Sequence, residues 1–371
     1  MTAPSKPLRI ALLGTRGIPA NYGGFETFAE EISVRLVERG HSVTVYCRGA
    51  TAGSPTQYRG VDLRHLPTIK NKYLDTIAHT GISTLDLLVN RHDVILYCNA
   101  ANACFTLLPR LVGMPTALNV DGVERRRRKW NYAAKAWYLA SEWMATWCCS
   151  SVITDAEKIR EYYLERYGKD SVFIPYGTET GKVAGDDILE TLGLDPGRYV
   201  LFVSRMEPEN NALMVRQAFE RVHTDFKLVL VGDAPYAAEY IRQVKDTSDP
   251  RVIIPGAIYG SGYRQLQSNC AAYIQATEVG GTHPALIESM GRACMVLYLA
   301  TVENVEVAGD AGVLFSDADD LVQKLQDAVD ASPSQRASWG IRAMQRVEKL
   351  YSWDVVTMQY ESLLQNLVSG R

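Results

Sequence analysis

The chain has 371 residues, of which 47% are hydrophobic and 22% are charged, and this favours two globular domains over a single core or a disordered chain. The 39 Lys and Arg residues against 42 Asp and Glu give a formal net charge of -3, which argues against a nucleic-acid-binding protein. The seven cysteines are odd in number and form no CxxC pair, and no segment has the length of a signal-peptide core or a membrane span. The sequence therefore predicts a cytoplasmic protein with reduced thiols and no structural zinc.

Short apolar runs rich in Val, Ile and Leu alternate with amphipathic stretches in the first half of the chain. Such runs predict buried parallel strands separated by helices. The predicted strands of this half are Leu8–Leu13, Ser42–Cys47, Asp93–Cys98, Thr116–Val120, Ser151–Thr154 and Val172–Ile174.

A glycine-rich polar stretch, Gly177–Asp187, is typical of a linker, and the strand pattern restarts after it. Helical periodicity then runs from about Asp319 to Ala331 and from Gln335 to the C-terminus. The predicted strands of this half are Tyr199–Ser204, Lys227–Val231, Val252–Ile254, Ala272–Gln275 and Met295–Tyr298.

This pattern predicts an α/β protein of two Rossmann-like domains that face each other across a cleft. We place an acceptor-side domain at 1–180, a nucleotide-sugar-binding domain at 188–350, and a C-terminal helix that packs back on the first domain at 351–371. In open α/β folds, ligands bind at the carboxyl ends of the strands, so we expect the functional residues there.

The first predicted strand ends in a loop with four glycines, Gly14–Glu26, which leads into a helix. Glycines let the backbone approach a diphosphate or a sugar closely, and the N–H groups of a helix start favour an anion. A plain βα turn has the same composition. The spacing is not GxGxxG, which weakens a dinucleotide-binding interpretation.

The second domain opens with a strand followed by Ser204–Asn211, and Arg205 sits at the carboxyl end of that strand. An arginine there offers several donors to phosphate oxygens. The alternative is a surface arginine paired with Glu207 or Glu209.

The segment Glu278–Met290 follows another strand and enters a helix. We expect Thr282 to cap this helix, whose N-terminus then favours an anion. Glu288 lies one turn inside, where a carboxylate needs hydrogen-bond donors such as ribose hydroxyls; a solvated helix face or a salt bridge is the alternative. For His283 a loop histidine without a ligand is an equal alternative.

In the first domain, Leu118–Glu124 places Asp121 and Glu124 just after a strand. Asp121 at this position is suited to bind an acceptor hydroxyl or to stabilise positive charge on a transferred sugar, unless it only caps the next helix.

Five basic residues, Arg125–Lys129, precede an aromatic amphipathic stretch that extends to Trp147. A basic cluster beside such a helix indicates contact with an anionic membrane or a lipid phosphate. For the aromatic side chains themselves, burial against the sheet is the simpler expectation.

Asp317 and Asp319 match the aspartate-x-aspartate metal motif of some sugar transferases, but their place at a helix start predicts capping instead. We therefore expect no metal, so that arginine and helix dipoles neutralise phosphate charge.

At these motifs the chain resembles the family 4 retaining glycosyltransferases of GT-B fold, and within them the bacterial rhamnosyltransferase branch. The resemblance covers nearly the whole chain. It rests on Gly14–Pro19 with Tyr22–Glu26, on Asp121–Glu124 with Lys129–Trp130, on Ser204–Arg205 with Pro208–Asn211, and on Gly280–Glu288.

The resemblance implies that a sugar moves from a nucleoside-diphosphate donor to an acceptor with retained configuration. For the branch, the implied donor is dTDP-L-rhamnose and the implied acceptor is a free or lipid-linked saccharide in surface polysaccharide synthesis. The candidate catalytic residues are Asp121, Glu124 and Arg205. The candidate donor-binding residues are Gly23, Gly24, Arg205, Asn210, Asn211, Gly281, Thr282, His283 and Glu288. The candidate acceptor-binding residues are Arg16, Tyr22, Phe25 and Arg125.

The chain departs from the wider family at two positions. Asn210 stands where the family has a lysine for the diphosphate, and Gly280 stands where it has the first of two glutamates; Glu288 matches the second, which resembles a ribose binder. Two other functions remain open: a nucleotide-sugar epimerase of the same fold, which needs no acceptor, and a nucleotide-sugar-binding protein without turnover.

Overall fold

The computed structural model describes residues 6–20, 24–49, 53–69, 74–120, 122–123, 125, 131–234, 236–279 and 282–370. The described chain divides into two compact units, one formed by 1–176 with 353–371 and the other by 177–352.

The first unit is built on an eight-stranded sheet, in which only the short hairpin β3–β4 is antiparallel. Its strand order is β3-β4-β2-β1-β5-β6-β7-β8. The strands are β1 (Arg9–Leu13), β2 (Ser42–Arg48), β3 (Gln57–Tyr58), β4 (Val61–Leu66), β5 (Val94–Cys98), β6 (Thr116–Asn119), β7 (Ser151–Thr154) and β8 (Val172–Phe173).

Helices cover both faces of this sheet, as the apolar runs on both faces of the strands require. They are α1 (Gly24–Glu38), α2 (Asp75–Val89), α3 (Leu107–Leu111), α4 (Tyr132–Cys148) and α5 (Glu157–Tyr167). A 3-10 turn, Ala100–Thr106, precedes α3.

The second unit has a six-stranded parallel sheet of order β11-β10-β9-β12-β13-β14. Its strands are β9 (Tyr199–Val203), β10 (Lys227–Val231), β11 (Val252–Gly256), β12 (Ala272–Gln275), β13 (Val296–Leu299) and β14 (Val313–Phe315). Its helices are α6 (Asp187–Leu192), α7 (Ala212–Glu220), α8 (Ala238–Lys245), α9 (Gly260–Asn269), α10 (Pro284–Gly291), α11 (Val302–Ala308), α12 (Ala318–Asp330) and α13 (Pro333–Leu350).

The eleven strands predicted from apolar runs are all present, with boundaries that differ by two residues at most. Strand β4, which buries one face, was missed because its apolar residues alternate with Asp62, Arg64 and His65 instead of forming a continuous run. The helical periodicity predicted from Gln335 onward is divided between α13 and α14 (Trp353–Ser369), because the chain turns at Tyr351–Ser352.

The last helix, α14, returns to the first unit, as the GT-B resemblance implied. Trp353, Val356 and Tyr360 are buried in the core of that unit, and Tyr360 packs against Phe28 of α1 with ring centroids 5.1 Å apart. Its buried carboxylate Glu361 accepts hydrogen bonds from Arg39 at 2.6 Å and from His41 Nε2 at 3.0 Å.

We expect Glu361→Ala to destabilise the first unit by about 2 kcal/mol, because the buried His41 and the Arg39 guanidinium lose their acceptor. Chemical denaturation followed by circular dichroism measures the loss. The matched control is Asp354→Ala on the same helix, whose carboxylate is 87% exposed and 3.4 Å from Arg35; it should change the free energy of unfolding by less than about 0.5 kcal/mol. Equal effects of the two variants would contradict this account.

Candidate functional site

Polar side chains collect at the carboxyl edge of the sheet in the second unit. The loops after β9 and β12 carry the predicted residues there, and these two strands are neighbours in the sheet. The parallel topology thus brings Arg205, Asn210 and Asn211 to the same edge as Thr282 and His283.

The loop after β9 has a fixed shape. The Arg205 carbonyl accepts hydrogen bonds from Asn210 Nδ2 and from the Glu207 N–H, both at 2.7 Å. Gly232, which follows β10, adopts a φ of +147°, and a Cβ there would lie 1.7 Å from the Ser204 carbonyl oxygen. Only glycine fits at this contact. Asn210, which is buried, therefore shapes the backbone that carries Arg205.

The Arg205 side chain lies beside a buried carboxylate. Its guanidinium is 3.3 Å from Glu207 and remains 45% exposed. The Tyr236 hydroxyl also donates to Glu207, and burial together with this carboxylate raises the pKa of Tyr236 to about 12. The pairing with Glu207 that the alternative explanation foresaw is present, yet the exposed part of the guanidinium can still bind an anion.

Asn211 links the loops after β9 and β12. Its backbone is left-handed with a φ of 62°, which asparagine tolerates better than most residues. Its Nδ2 donates to the Ala276 carbonyl and to Glu278 Oε1, each at 2.9 Å. These bonds hold the two loops together, so the amide N–H groups of Asn211 are engaged within the protein.

The expectation that Thr282 caps α10 is wrong. His283 occupies the N-cap position with an extended backbone, its own side chain makes no capping hydrogen bond, and Pro284 is the first residue of α10. Both Thr282 and His283 are buried. The boundary shifted because proline is well suited to the first helical position and fixes the start there.

A glutamine at the end of β12 orients His283. Gln275 Oε1 accepts a hydrogen bond from the Tyr273 hydroxyl at 3.2 Å, which leaves its amide nitrogen to donate to His283 Nδ1 at 2.7 Å. Since Nδ1 is the acceptor, we assign the imidazole proton to Nε2. Sequence reasoning missed Gln275, although a polar residue at the end of an apolar buried strand signals an internal hydrogen bond.

Glu288 is half-buried in α10 and is held by a tyrosine of α9. The Tyr263 hydroxyl donates to Glu288 Oε2 at 2.6 Å, and Gln267 in turn donates to that hydroxyl at 2.8 Å. Burial raises the pKa of Glu288, while the bond from Tyr263 and the charges of Arg292 and Arg264 act in the opposite direction. Glu288 Oε1 makes no hydrogen bond to any residue that the structure describes, so it is available to a ligand hydroxyl.

The first unit also has a braced loop at the carboxyl edge of its sheet. Arg48 Nε donates to the Thr15 carbonyl at 3.2 Å, and the Arg16 N–H donates to the buried carboxylate of Glu26 at 3.0 Å. Gly17 packs against Cys47, where a Cβ would lie 2.5 Å from the sulfur. Arg16 itself is exposed. The glycines thus serve a tight βα turn that presents Arg16, and Arg48 and Glu26 were not foreseen.

The other predicted residues of the first unit have different surroundings. Gly24 is the exposed first residue of α1, and Phe25 is half-buried against the core. Arg125 is bound within the unit, since it donates to Glu142 at 3.2 Å and to the Tyr162 hydroxyl at 2.7 Å. Five predicted site residues lie outside the described residues: Tyr22, Gly23, Asp121, Glu124 and Gly281.

The aspartate pair after β14 forms a helix cap, as expected. Asp317 accepts hydrogen bonds from the N–H groups of Asp319 and Asp320, each at 2.9 Å, at the start of α12. These backbone bonds lower the pKa of Asp317. In the described ranges, no three His, Cys, Asp or Glu side chains are grouped so that they could hold a metal ion.

Two glycosyltransferase families match the two units in turn. The family described as "Glycosyltransferase Family 4" matches residues 22–182, and "Glycosyl transferases group 1" matches residues 197–331. The two matches together support a GT-B glycosyltransferase related to family 4, and the second match contains the whole edge from Arg205 to Glu288.

Known proteins of this fold are similar over nearly the whole chain. Sucrose-phosphate synthase from Thermosynechococcus elongatus has a TM-score of 0.80 at 19% identity, covering 98% of this chain and 100% of that one. HepE of Anabaena, solved with UDP and glucose, has a TM-score of 0.78 at 14% identity, covering 97% and 100%. At these identities the likeness establishes the fold alone.

One curated relative is similar over a shorter stretch. The Campylobacter jejuni enzyme N-acetylgalactosamine-N,N'-diacetylbacillosaminyl-diphospho-undecaprenol 4-alpha-N-acetylgalactosaminyltransferase is 28% identical over 115 residues. The alignment spans 30% of this chain and 30% of that enzyme.

The raised pKa of Glu288 predicts a pH-dependent effect of Glu288→Gln on stability. At pH 8 the ionised carboxylate opposes folding because the folded state holds it partly away from water. This cost disappears as the pH falls through the raised pKa toward the ordinary value of 4.5. Glu288→Gln should therefore raise the melting temperature at pH 8 and raise it less at pH 5.

Thermal unfolding of wild type and variant across this pH range measures the difference. Tyr263→Phe serves as the companion variant, because it removes a hydrogen bond that favours the ionised form of Glu288. In this variant the ionised carboxylate should lower stability at pH 8 more than it does in the wild type. A stability gain in Glu288→Gln that grows toward low pH would contradict the assignment.

Proposed function

We propose that this protein is a retaining glycosyltransferase that binds a nucleoside-diphosphate sugar at the carboxyl edge of the second unit and transfers the sugar to a saccharide acceptor. One observation carries the proposal: a half-exposed guanidinium, an oriented imidazole and a half-buried carboxylate lie on neighbouring loops and helices of one sheet edge. They are Arg205, His283 and Glu288.

The three groups match the parts of a nucleoside diphosphate. Arg205 supplies a cation for the phosphate oxygens, and the imidazole of His283, protonated on Nε2, supplies a neutral N–H donor. Glu288 Oε1 accepts from a ribose hydroxyl while Tyr263 holds the other carboxylate oxygen. The site therefore offers donors to the anionic end and an acceptor to the sugar end of the nucleotide.

The same donors promote the reaction. When the bond between the sugar and the diphosphate breaks, negative charge increases on the leaving oxygen, and preorganised donors stabilise it more than they stabilise the bound substrate. Retention of configuration, as the family resemblance implies, has the acceptor hydroxyl attack from the face that the diphosphate leaves. Asp121 and Glu124 remain our candidates for positioning the acceptor.

We propose further that the reaction needs no metal ion. Asn210, which replaces the lysine of the wider family, uses its amide to hold the Arg205 carbonyl and contributes no charge. Neutralisation then depends on Arg205, whose orientation is set by Glu207.

The proposed donor is dTDP-L-rhamnose, and the proposed acceptor is a lipid-linked saccharide in surface polysaccharide synthesis at the cytoplasmic side. The donor follows from the branch resemblance, while the fold relative HepE was solved with UDP-glucose. The acceptor class is supported by the Campylobacter relative, whose name specifies a diphospho-undecaprenol acceptor.

We expect Arg205→Ala to lower the rate of transfer by about 10²- to 10³-fold, because one of the donors to the leaving diphosphate is lost. Initial rates with saturating donor, together with circular dichroism, test this. The matched control is Arg198→Gln: Arg198 lies next to the same strand at its amino end, is 48% exposed and pairs with Asp225. Transfer at the wild-type rate by Arg205→Ala would remove the proposed role.

A thermal-shift panel of nucleotide sugars and free nucleoside diphosphates tests the ligand class. Ligands that bind only the folded state raise its stability, so dTDP and dTDP-rhamnose should raise the melting temperature most, and Glu288→Gln should reduce this shift. Preference for UDP or GDP compounds would replace the sugar in the proposal. No stabilisation by any of them would contradict it, and release of an altered free nucleotide sugar without acceptor would identify an epimerase.

A further inference from the structure

Helix α4 exposes a face without charge along its whole length. The exposed side chains include Tyr132 at 94%, Trp143 at 57% and Trp147 at 43%, and Leu139 lies between them. The two charged residues of the helix, Lys135 and Glu142, are half-buried and buried. The expectation that the aromatic residues of this stretch pack against the sheet is thus wrong for Tyr132, Trp143 and Trp147. The rings of Trp143 and Trp147 meet edge to face at the surface, with centroids 5.3 Å apart.

Two neighbouring helices continue this apolar surface. Helices α2 and α4 both pack against the 3-10 turn 100–106 that leads into α3. Exposed apolar side chains on α2 are Ile82, Leu85 and Val89, and those on or next to α3 are Leu108, Leu111 and Val112. Exposed apolar side chains grouped on neighbouring helices are typical of a surface that contacts a partner or a membrane.

Arginines connect the ends of the three helices. Arg110 Nη1 donates to the Trp147 carbonyl at 2.6 Å, and Arg91 Nη2 donates to the Val112 carbonyl at 3.3 Å. These bonds place two exposed guanidinium groups at the border of the apolar surface.

An open groove of about 580 Å³ borders the same residues at the amino edge of the sheet. Its lining includes Arg9, Arg91 and Arg110 together with Val112. None of these three arginines forms an ion pair with a carboxylate of the described chain. The carboxylate in the lining, Asp93, accepts the Arg9 backbone N–H at 2.7 Å. The groove therefore carries excess positive charge beside exposed apolar side chains.

We propose that this apolar-basic surface, formed by Val89, Leu111, Val112, Trp143 and Trp147 with Arg9, Arg91 and Arg110, docks on a bilayer that contains anionic lipids. Tryptophan favours the boundary between head groups and acyl chains, and arginine binds lipid phosphates. Among the described residues the positive charge comes from the groove, because Arg125 binds Glu142 and Tyr162. The rest of the predicted basic cluster, 126–129, lies outside the described residues.

The charge distribution favours a membrane over a second copy of the chain. In a twofold dimer the same surface meets itself, so the unpaired arginines of both copies would share one interface and repel each other. An anionic bilayer supplies counter-charges for all of them and a flat apolar layer for the tryptophans.

Co-sedimentation of the full chain with vesicles tests the proposal. Vesicles of phosphatidylcholine with about one third phosphatidylglycerol should bind the protein, pure phosphatidylcholine should bind it at least about tenfold more weakly, and added salt should weaken binding. Trp143→Ser with Trp147→Ser should lower the partition coefficient at least about tenfold. Arg9→Gln and Arg91→Gln should each lower it about fivefold.

Matched controls come from the second unit, with Ile341→Ser for an exposed apolar residue and Arg242→Gln for an exposed arginine. Both should bind vesicles as the wild type does, and circular dichroism checks that all variants fold. Equal binding to both vesicle types, or wild-type binding by the double tryptophan variant, would overturn the proposal. So would a dimer in sedimentation velocity that the tryptophan substitutions dissociate while vesicles bind no protein.

Discussion

The constraint on which the rest of the structure depends is that parallel strands all end at the same edge of a sheet. In the second unit, β9, β10 and β12 are neighbours, so segments far apart in sequence start their loops a strand spacing from one another. Hydrogen bonds then fix the loops: Glu278 N–H donates to the Glu209 carbonyl at 3.0 Å, and Asn211 binds Ala276 and Glu278. A ligand at this edge meets a preformed arrangement, which reduces the entropy lost on binding.

Three of the candidate donor-binding side chains are each oriented by a polar partner. Glu207 holds Arg205, Gln275 holds His283 and Tyr263 holds Glu288. A buried or half-buried polar group without a partner is costly, so these pairs stabilise the fold and also set the direction in which each group faces a ligand.

The sequence predicted the strands and the places of Arg205, His283 and Glu288. Strand ends follow from the apolar runs, and in a parallel sheet these ends lie at the same edge. The sequence offered Glu207 as the alternative partner of Arg205, but it did not predict the partners of His283 and Glu288. Tyr263 and Glu288 are 25 residues apart on different helices, and no spacing rule relates them. Periodicity also identified α4 as amphipathic but could not say which face lies inward, since the aromatic residues divide: Tyr138 is buried, while Trp143 and Trp147 are exposed.

The loss of the family's lysine at Asn210 has a structural counterpart in this chain. A lysine at this buried position would bring a charge toward the phosphates, whereas the Asn210 amide closes the loop on the Arg205 carbonyl. Gly232 enforces the same loop from the other side through its contact with Ser204. On the proposed function the site thus has one fewer cation, while Asn210 and Gly232 hold the backbone that carries Arg205. Electrostatic stabilisation of a leaving group depends on donors that need no reorganisation, so the proposed role of Arg205 relies on this fixed loop.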